Sequence, residues 1–385
     1  MSCTKAYVEW NGFKGTVTIN EPVVRYPGNP ILTCHDVNEI WGNDGRLYTY
    51  TVHNAGMAEV TGANGKTQTI MLFRSHIADG RSVIGKAVSD NGLNAWKIDP
   101  RPFLLPATES DLFAKGVDIA SIIESEAGGV EDIRVNPVGS GLYVLTYSAY
   151  HGQITDRVKV MIAVTQDFKT VVRYGPISEQ DMRNVVIFPE PDKNKKWIAL
   201  LRPNDKNREV AGSGHIGGSF EEICTGFAAG PTGPWEIANV IMRSGHGPSA
   251  FQAKIGPGAP PIRTRYGWLN IFHGVRSTMA GNPYTLGVAF HDREDPTNPS
   301  KLRISAKPLL MPSASDCLVR ETDYVHVPNV VFTCGALAGQ DDTLAIYYGG
   351  NDTVMNIGLA NIQILNEMCN VFRLDPLTGK HLYSL

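Results

Sequence analysis

Asp341 to Asp352 read DDTLAIYYGGND: a tight polar turn, an apolar run, then polar residues where the run ends. The same plan recurs in DGRLYTYTVHNAG from Asp44, GSGLYVLTYSAYHG from Gly139, NKKWIALLRPND from Asn194 and RYGWLNIFHGV from Arg265. Short runs rich in Val, Ile, Leu, Tyr and Thr, bounded by Gly, Asn and Asp, read as strands. One such unit cannot bury its apolar faces alone, whereas stacked or radially arranged copies can. The repeat therefore predicts an all-β fold, a five-bladed β-propeller whose blades deliver strand ends into one central funnel. IGKAVSDNGLNAW from Ile84 and IAVTQDFKTV from Ile162 read as outer strands followed by turns. Helical periodicity is confined to Asp111–Ala127 (DLFAKGVDIASIIESEA) and part of IQILNEMCNVFRL near the C-terminus. Neither founds a second domain, so residues 1–385 are expected to form a single catalytic domain with a helical insertion at 111–127 and a C-terminal extension.

Composition narrows the function. The chain has 385 residues, 42% hydrophobic and 19% charged, as an ordinary globular protein does. A net charge of -3 with no basic or acidic block offers no field for nucleic acid or an anionic membrane, which leaves a small ligand. Cys3, Cys34, Cys224, Cys317, Cys334 and Cys369 are scattered without the spacing of a zinc site or redox pair, and read as free thiols. MSCTKAYVEWNGFKG has no apolar signal core and no long apolar run follows, so the expected location is cytoplasmic. In that compartment the sequon Asn351-Asp352-Thr353 would go unmodified. No metal or organic cofactor is expected.

The strand ends carry the candidate chemistry: Asn54 in HNAG, Tyr150 and His151 in AYHG, Arg202 in LLRPND, His273 in FHGV and Asp352 in GGND. Singly each reads as a turn-former or a satisfied core group; converging in one funnel, they suit a polyol or a phosphate. GGVEDIRVNP holds Asp132, a carboxyl that a partly dry funnel would raise in pKa and equip as a general acid. The alternative is structural, with Glu131 and Asp132 pairing with Arg134 or capping a turn. Arg183 and Asn184 in DMRNVVIFPE lie a hairpin from Arg202, and two guanidiniums so placed suit an oxyanion as well as they suit surface ion pairs. Lys254 and His273 flank a Gly- and Pro-rich stretch that either lines the funnel or stiffens the scaffold. GSGHIGG from Gly212 lacks the strand-helix-strand context of dinucleotide binding, and His35-Asp36 and His291-Asp292 read as turns.

The ordered landmarks VHNAG, GVEDIRV, RNVVIFPE, LLRP, KIGPGAPPIRTRYGWLNIFHGV, VPNVVF and YYGGNDT resemble the β-mannoside phosphorylases of glycoside hydrolase family one hundred and thirty, and the related protozoan mannosyltransferase/phosphorylases. The resemblance runs from near Arg25 to near Val354. It implies a five-bladed propeller and an inverting reaction that exchanges β-mannosides and inorganic phosphate through α-mannose 1-phosphate. It assigns Asp132 as the proton donor, acting through a sugar hydroxyl. Arg183, Arg202, Lys254, His273 and Tyr284 match its phosphate-binding set. Asn54, Arg74 and Asp352 match positions that hold the mannosyl unit, with Asn184 beside them. One carboxylate suffices because phosphate is already an anionic nucleophile.

Three functions compete on these residues: the phosphorylase acting on mannose and β-mannooligosaccharides, with β-1,2 linkage favoured by the likeness to the protozoan group; a β-mannosyltransferase using GDP-mannose; and a non-catalytic glycan-binding propeller. Asn204–Ser249 and Asp111–Ala127 are the expected shapers of the acceptor subsites. Trp235 and the stretch near Pro260 suit either a subunit interface of a homo-oligomer or the funnel rim.

Overall fold

Leu200 and Leu201 are neighbours in the chain and both fully buried, yet they belong to different hydrophobic cores. Successive side chains of a strand point to opposite faces, so a strand buried on both faces needs a continuous apolar run. WIALL, YVLTY, IMLF and LAIYY are such runs, and each central strand of the protein is sandwiched between two neighbouring sheets.

The computed structural model describes residues 4–62, 65–152, 157–204, 222–244, 249–279, 281–317 and 324–382. It opens with a hairpin, β1 (Lys5–Trp10) and β2 (Phe13–Thr18), then β3 (Val24–Arg25) and helix α1 (Cys34–Trp41). A first antiparallel meander follows: β4 (His53–Thr61), β5 (Thr67–His76), β6 (Ser82–Ser89) and β7 (Lys97–Ile98). After β8 (Leu112–Phe113) and helix α2 (Ile119–Glu126) comes a second: β9 (Gly129–Pro137), β10 (Tyr143–Tyr150), β11 (Val158–Thr165) and β12 (Val172–Pro176). The third is β13 (Met182–Ile187), β14 (Trp197–Pro203), β15 (Ile223–Ala228) and β16 (Glu236–Met242). The fourth has β17 (Lys254–Pro257) and β18 (Ile262–Thr264) both pairing β19 (Gly267–Val275), then β20 (Tyr284–His291) and β21 (Arg303–Ser305). The fifth, β22 (Val331–Ala338), β23 (Thr343–Gly350) and β24 (Val354–Asn361), takes β3 as its outer strand. Helix α3 (Ile362–Val371) and β25 (Arg373–Leu374), which pairs β21, end the chain.

Each meander shares a core with the next. Leu72 and Ile84 pack with Ile133 and Leu145; Val144 and Ile162 with Ile187 and Leu201; Val186 and Leu200 with Ile255 and Phe272; Ile271 and Leu286 with Val331 and Ile346. The fifth returns to the first, where Tyr347 and Ile357 pack with Met71 and Phe73. Each fully buried side chain of this kind contributes about 1.5–3 kcal/mol, so the central strands dominate stability. The all-β expectation holds, and no helix among the described residues is long and apolar enough to cross a membrane. Among the described residues, Cys34, Cys224, Cys317, Cys334 and Cys369 form no disulfide with one another.

Three expectations need correction. The segment from Asp44 is not a central strand: β4 begins only at His53, and the strand equivalent to β10, β14, β19 and β23 is β5. The polar Thr67, Gln68 and Thr69 separate its apolar run IMLF from the glycine-containing turn before the strand, which hid the repeat. In 111–127 only α2 is helical, because Gly116 has φ +84° and Asp118 caps the helix by accepting from Ser121 N at 3.0 Å. His35 and Asp36 lie in α1 rather than in a turn, since the Asp36 carboxylate accepts from Thr33 N at 2.8 Å and completes a capping box. The GSGHIGG segment lies outside the described residues.

Candidate active site

The site is built from an irregularity repeated in the first strand of four meanders. In β4 the pairs His53↔Arg74 and Gly56↔Leu72 leave Asn54 and Ala55 opposite Phe73 alone. In β9 Asp132 and Ile133 share Tyr147, in β13 Asn184 and Val185 share Leu201, and in β22 Thr333 and Cys334 share Tyr348. Two residues against one is a β-bulge, which re-aims a side chain out of the alternating pattern. Asn54, Asp132 and Asn184 adopt φ of +50°, +50° and +57°. Asn and Asp are the side chains that best tolerate this left-handed region, so residue choice and backbone shape agree. The fourth meander has no bulge; Gly256 pairs with His273 there, and a Cβ on it would lie 2.6 Å from His273 Cε1.

Asp132 sits at the centre of a polar cluster. Its Oδ1 accepts from Asn54 Nδ2 at 3.0 Å and from Arg74 Nη1 at 3.1 Å. Arg74 Nη2 donates to Glu131 Oε1 at 2.6 Å, and Ser82 Oγ donates to the same oxygen at 2.8 Å. Burial alone would raise the Asp132 carboxyl, but Arg74, Arg134 and the Asn54 hydrogen bond outweigh it and hold the group below the usual range. This corrects the expected raised pKa. The raised carboxyls are its neighbours: burial, partly offset by Arg74, pushes Glu131 up, and burial pushes Asp352 up to about 7. Glu131 and Asp132 do not pair with Arg134 through their carboxylates. Arg134, fully buried, instead donates from Nη1 to the Asp132 backbone oxygen at 2.7 Å and from Nη2 to Asn184 Oδ1 at 2.9 Å.

From Asn184 the network passes to the cations. Asn184 Nδ2 lies 3.5 Å from His273 Nε2, and Arg202 Nη1 lies 3.2 Å from the same nitrogen. Burial first, then Arg202, Arg134 and Lys254, hold His273 far below its ordinary pKa, so its ring is neutral and Nε2 accepts from Arg202. Nδ1 then carries the proton, buried and without a partner among the described residues, as is Asn54 Oδ1. Buried polar atoms are almost always paired, so two such atoms on one cluster point to a ligand. The Arg183 guanidinium lies 5.1 Å over the Tyr150 ring, and Lys254 Nζ lies 5.3 Å over Tyr284, whose ring stacks 6.1 Å from His273. Asp352 enters through the β23–β24 hairpin. Thr353 N donates to Gly350 O at 3.0 Å, and Asn351 and Asp352 have φ of +52° and +48°, the positive pair that a tight hairpin turn of this hand demands.

With the exception of His151, the site residues singled out from the sequence fall in one of two adjoining groups. Asn54, Arg74, Asp132 and Asp352 come from the first, second and fifth meanders, and Arg183, Arg202, Lys254, His273 and Tyr284 from the third and fourth, with Asn184 between them. His151 instead pairs with Glu124 of α2 at 2.9 Å. Sequence reasoning missed Ser82, Arg134 and His76 as members of the network. The signal for Arg134 was present: HN, ED and RN occupy equivalent places in three first strands, and Arg134 is the residue that ties two of those bulges together.

A family model described as β-1,4-mannooligosaccharide phosphorylase, glycoside hydrolase family 130, matches residues 35–373. A 1,2-β-oligomannan phosphorylase of Thermoanaerobacter sp. is 27% identical over 283 residues, 73% of this chain and 79% of that protein. A 4-O-β-D-mannosyl-D-glucose phosphorylase of Bacteroides fragilis is 27% identical over 90% of this chain and 83% of its own length. Among solved structures, a β-1,2-mannobiose phosphorylase of Listeria innocua in complex with β-1,2-mannobiose superposes with a TM-score of 0.68 at 25% identity, covering 91% of this chain and 99% of that one.

Proposed function

This chain belongs to glycoside hydrolase family 130, the β-mannoside phosphorylases, and from that membership we propose that it is an inverting phosphorylase of β-1,2-linked mannooligosaccharides. It moves one mannosyl unit between a saccharide and inorganic phosphate, through α-mannose 1-phosphate. The observation that carries this reading is the continuous network from Asp132 through Arg134, Asn184 and His273 to Arg202, which joins one carboxylate to a group of cations.

Asn54, Arg74 and Asp352 hold the mannosyl ring beside Asp132. Arg183, Arg202 and Lys254 hold phosphate on the opposite face of the anomeric carbon. His273 acts on the anion through Arg202, which it orients by accepting a hydrogen bond, and through its remaining Nδ1–H. In phosphorolysis a phosphate oxygen bonds to the anomeric carbon as the glycosidic bond breaks, and the leaving oxygen takes a proton relayed from Asp132 through a mannosyl hydroxyl. The free protein holds Asp132 ionised, so the carboxylate takes up a proton from solvent as substrate binds, when Arg74 and Asn54 turn toward the substrate's hydroxyls and no longer hold its pKa down. In synthesis the ionised form is the competent one, accepting the acceptor's proton. A water-activating second carboxylate is unnecessary, because the cations position a nucleophile that is already charged.

The same reading treats the chain as one catalytic domain, a five-bladed propeller with the site at one mouth of its axis. Support comes from the cyclic succession of cores and from a cavity of about 280 Å³ lined by Met57, Val135, Pro189, Pro260 and Ala336, one residue from each meander or the loop beside it, at the far ends of the same first strands. Incubation with α-mannose 1-phosphate and mannose should release phosphate and form an oligosaccharide, and Asp132→Asn should abolish both. Absence of phosphate release with mannose, glucose and N-acetylglucosamine as acceptors would overturn the proposal.

A further inference from the structure

Beside Arg74 the protein has a cleft of about 540 Å³, lined by Tyr50, His76, Gly80, Tyr324 and His326 among others. Three separate segments form it: the approach to β4, the turn after β5 and the approach to β22. Hydrogen bonds anchor them: Tyr50 N donates to His76 O at 2.9 Å and His76 N to Thr51 Oγ1 at 3.2 Å, joining the first two, and His326 N donates to Thr353 Oγ1 at 3.0 Å, fixing the third to the hairpin that carries Asp352. The cleft shares a wall with the mannosyl-holding group. His76 Nε2 lies 2.8 Å from Arg74 Nη2, whose Nη1 is on Asp132, and Thr353 follows Asp352.

The lining has the chemistry of a pyranose ring, which offers an apolar C–H face and a hydroxyl edge. Tyr50 and Tyr324 are 47% and 57% exposed, unusually open for rings beside a buried site. Tyr48 stands against Tyr50 with ring centroids 5.5 Å apart. The polar edges are imidazoles that stay uncharged: burial and Arg74 lower His76 to about 3 and His326 below its ordinary value. His76 accepts from Arg74 through Nε2, which leaves Nδ1–H as a donor; the Tyr324 hydroxyl lies 3.0 Å from His326 Nδ1, which leaves Nε2. Among the described residues no cationic side chain lines the cleft, and its rings and neutral imidazoles suit an uncharged sugar.

We propose that this cleft receives the saccharide that leaves in phosphorolysis and attacks in synthesis, an uncharged hexopyranose, and that Tyr50 and Tyr324 determine which acceptor is used. The inference rests on the phosphorylase reading above. It adds the approaches to β4 and β22, which bring the exposed rings, to the segments expected to shape acceptor recognition, 111–127 and 204–249.

The test measures phosphate release by wild type, Tyr50→Ala and Tyr324→Ala, varying mannose at saturating α-mannose 1-phosphate and then the reverse. Loss of one stacked ring is expected to raise the KM for mannose about tenfold, leaving the KM for α-mannose 1-phosphate in place as the control for folding. Tyr324→Phe, which keeps the ring, should lie between the alanine variant and wild type. A mannose KM that is unchanged, or that rises together with the KM for α-mannose 1-phosphate, overturns the acceptor cleft alone. A wild-type protein that releases no phosphate with any acceptor overturns the phosphorylase reading, and the cleft assignment with it.

Discussion

Arg74 Nη1 donates to Asp132 Oδ1 at 3.1 Å while its Nη2 reaches the adjacent carboxyl of Glu131 at 2.6 Å. With its other nitrogen on Glu131, the guanidinium spans both groups, yet Asp132 stays below its usual pKa while Glu131 rises. Asp132 collects further donors from Asn54 and the charge of Arg134, so falling pH protonates Glu131 before Asp132. Asp132→Asn should therefore lower kcat by about 10³-fold or more, the scale of a lost general acid. Glu131→Gln resembles the state already protonated first and should cost only about tenfold, through looser orientation of Arg74. Equal losses in steady-state phosphate release would mean that the proton is not assigned as the geometry implies.

Gly256 keeps the anion site open. A Cβ there would meet His273 Cε1 at 2.6 Å and Asn184 Nδ2 at 3.0 Å, so Gly256→Ala must displace the ring that orients Arg202. The expected result is a KM for phosphate raised about tenfold, on the scale of one hydrogen bond to a charged group. The acceptor KM should stay in place. Separate titrations of phosphate and of saccharide in phosphorolysis check this.

The left-handed bulge residues make a stability prediction of unusual sign. In an ordinary strand Gly is less stable than Ala by about 0.5–1 kcal/mol. At Asn184, where φ is +57°, Ala pays about 1–2 kcal/mol for the left-handed backbone that Gly adopts freely. Both substitutions lose the amide's bond to Arg134, so their difference isolates the backbone. Denaturant unfolding should rank Asn184→Gly above Asn184→Ala; the reverse order would show that the bulge relaxes when the side chain is removed.

Acid should destabilise the protein below about pH 6.5. His53 and His273 lie far below their ordinary pKa through burial and neighbouring guanidiniums, and His76 and His291 are lowered to about 3 and about 4. Below pH 6.5 the unfolded chain binds protons that these folded imidazoles refuse, so their contribution is present above that pH and is lost as pH falls. Asp352 acts in the opposite sense: its folded pKa of about 7 exceeds the unfolded value, so it favours folding as pH falls from about 7 toward about 4. The raised carboxyls of Glu59, Glu126 and Glu131 act with Asp352, and the lowered His326 and Asp132 act with the four imidazoles, whose displacement far from their ordinary range sets the balance. Thermal melts from pH 7.5 to 4.5 should show Tm falling, and falling more steeply in Asp352→Asn, which removes one opposing group. Parallel curves for the two proteins would place the raised carboxyl elsewhere.

Much of this was legible in the chain itself. YVLTY, WIALL, WLNIF and LAIYY are continuous apolar runs because both faces of a central strand are buried, and that property is local in sequence. Site residues at strand ends were legible for the same reason, since a run must stop where a side chain turns polar. The repeat in the first meander was not, because polar Thr67–Thr69 stand between the turn and IMLF in β5, and VHNAG lies one strand earlier. Tertiary structure alone decided the state of the charges. Asp132 and Glu131 are adjacent in sequence and chemically alike and share Arg74; the arrival of Asn54 from 78 residues away and the charge of Arg134 separate them. The sequence determined which side chains reach the site; the fold determined which of them carries a proton, because a pKa depends on distances and burial that no local pattern encodes.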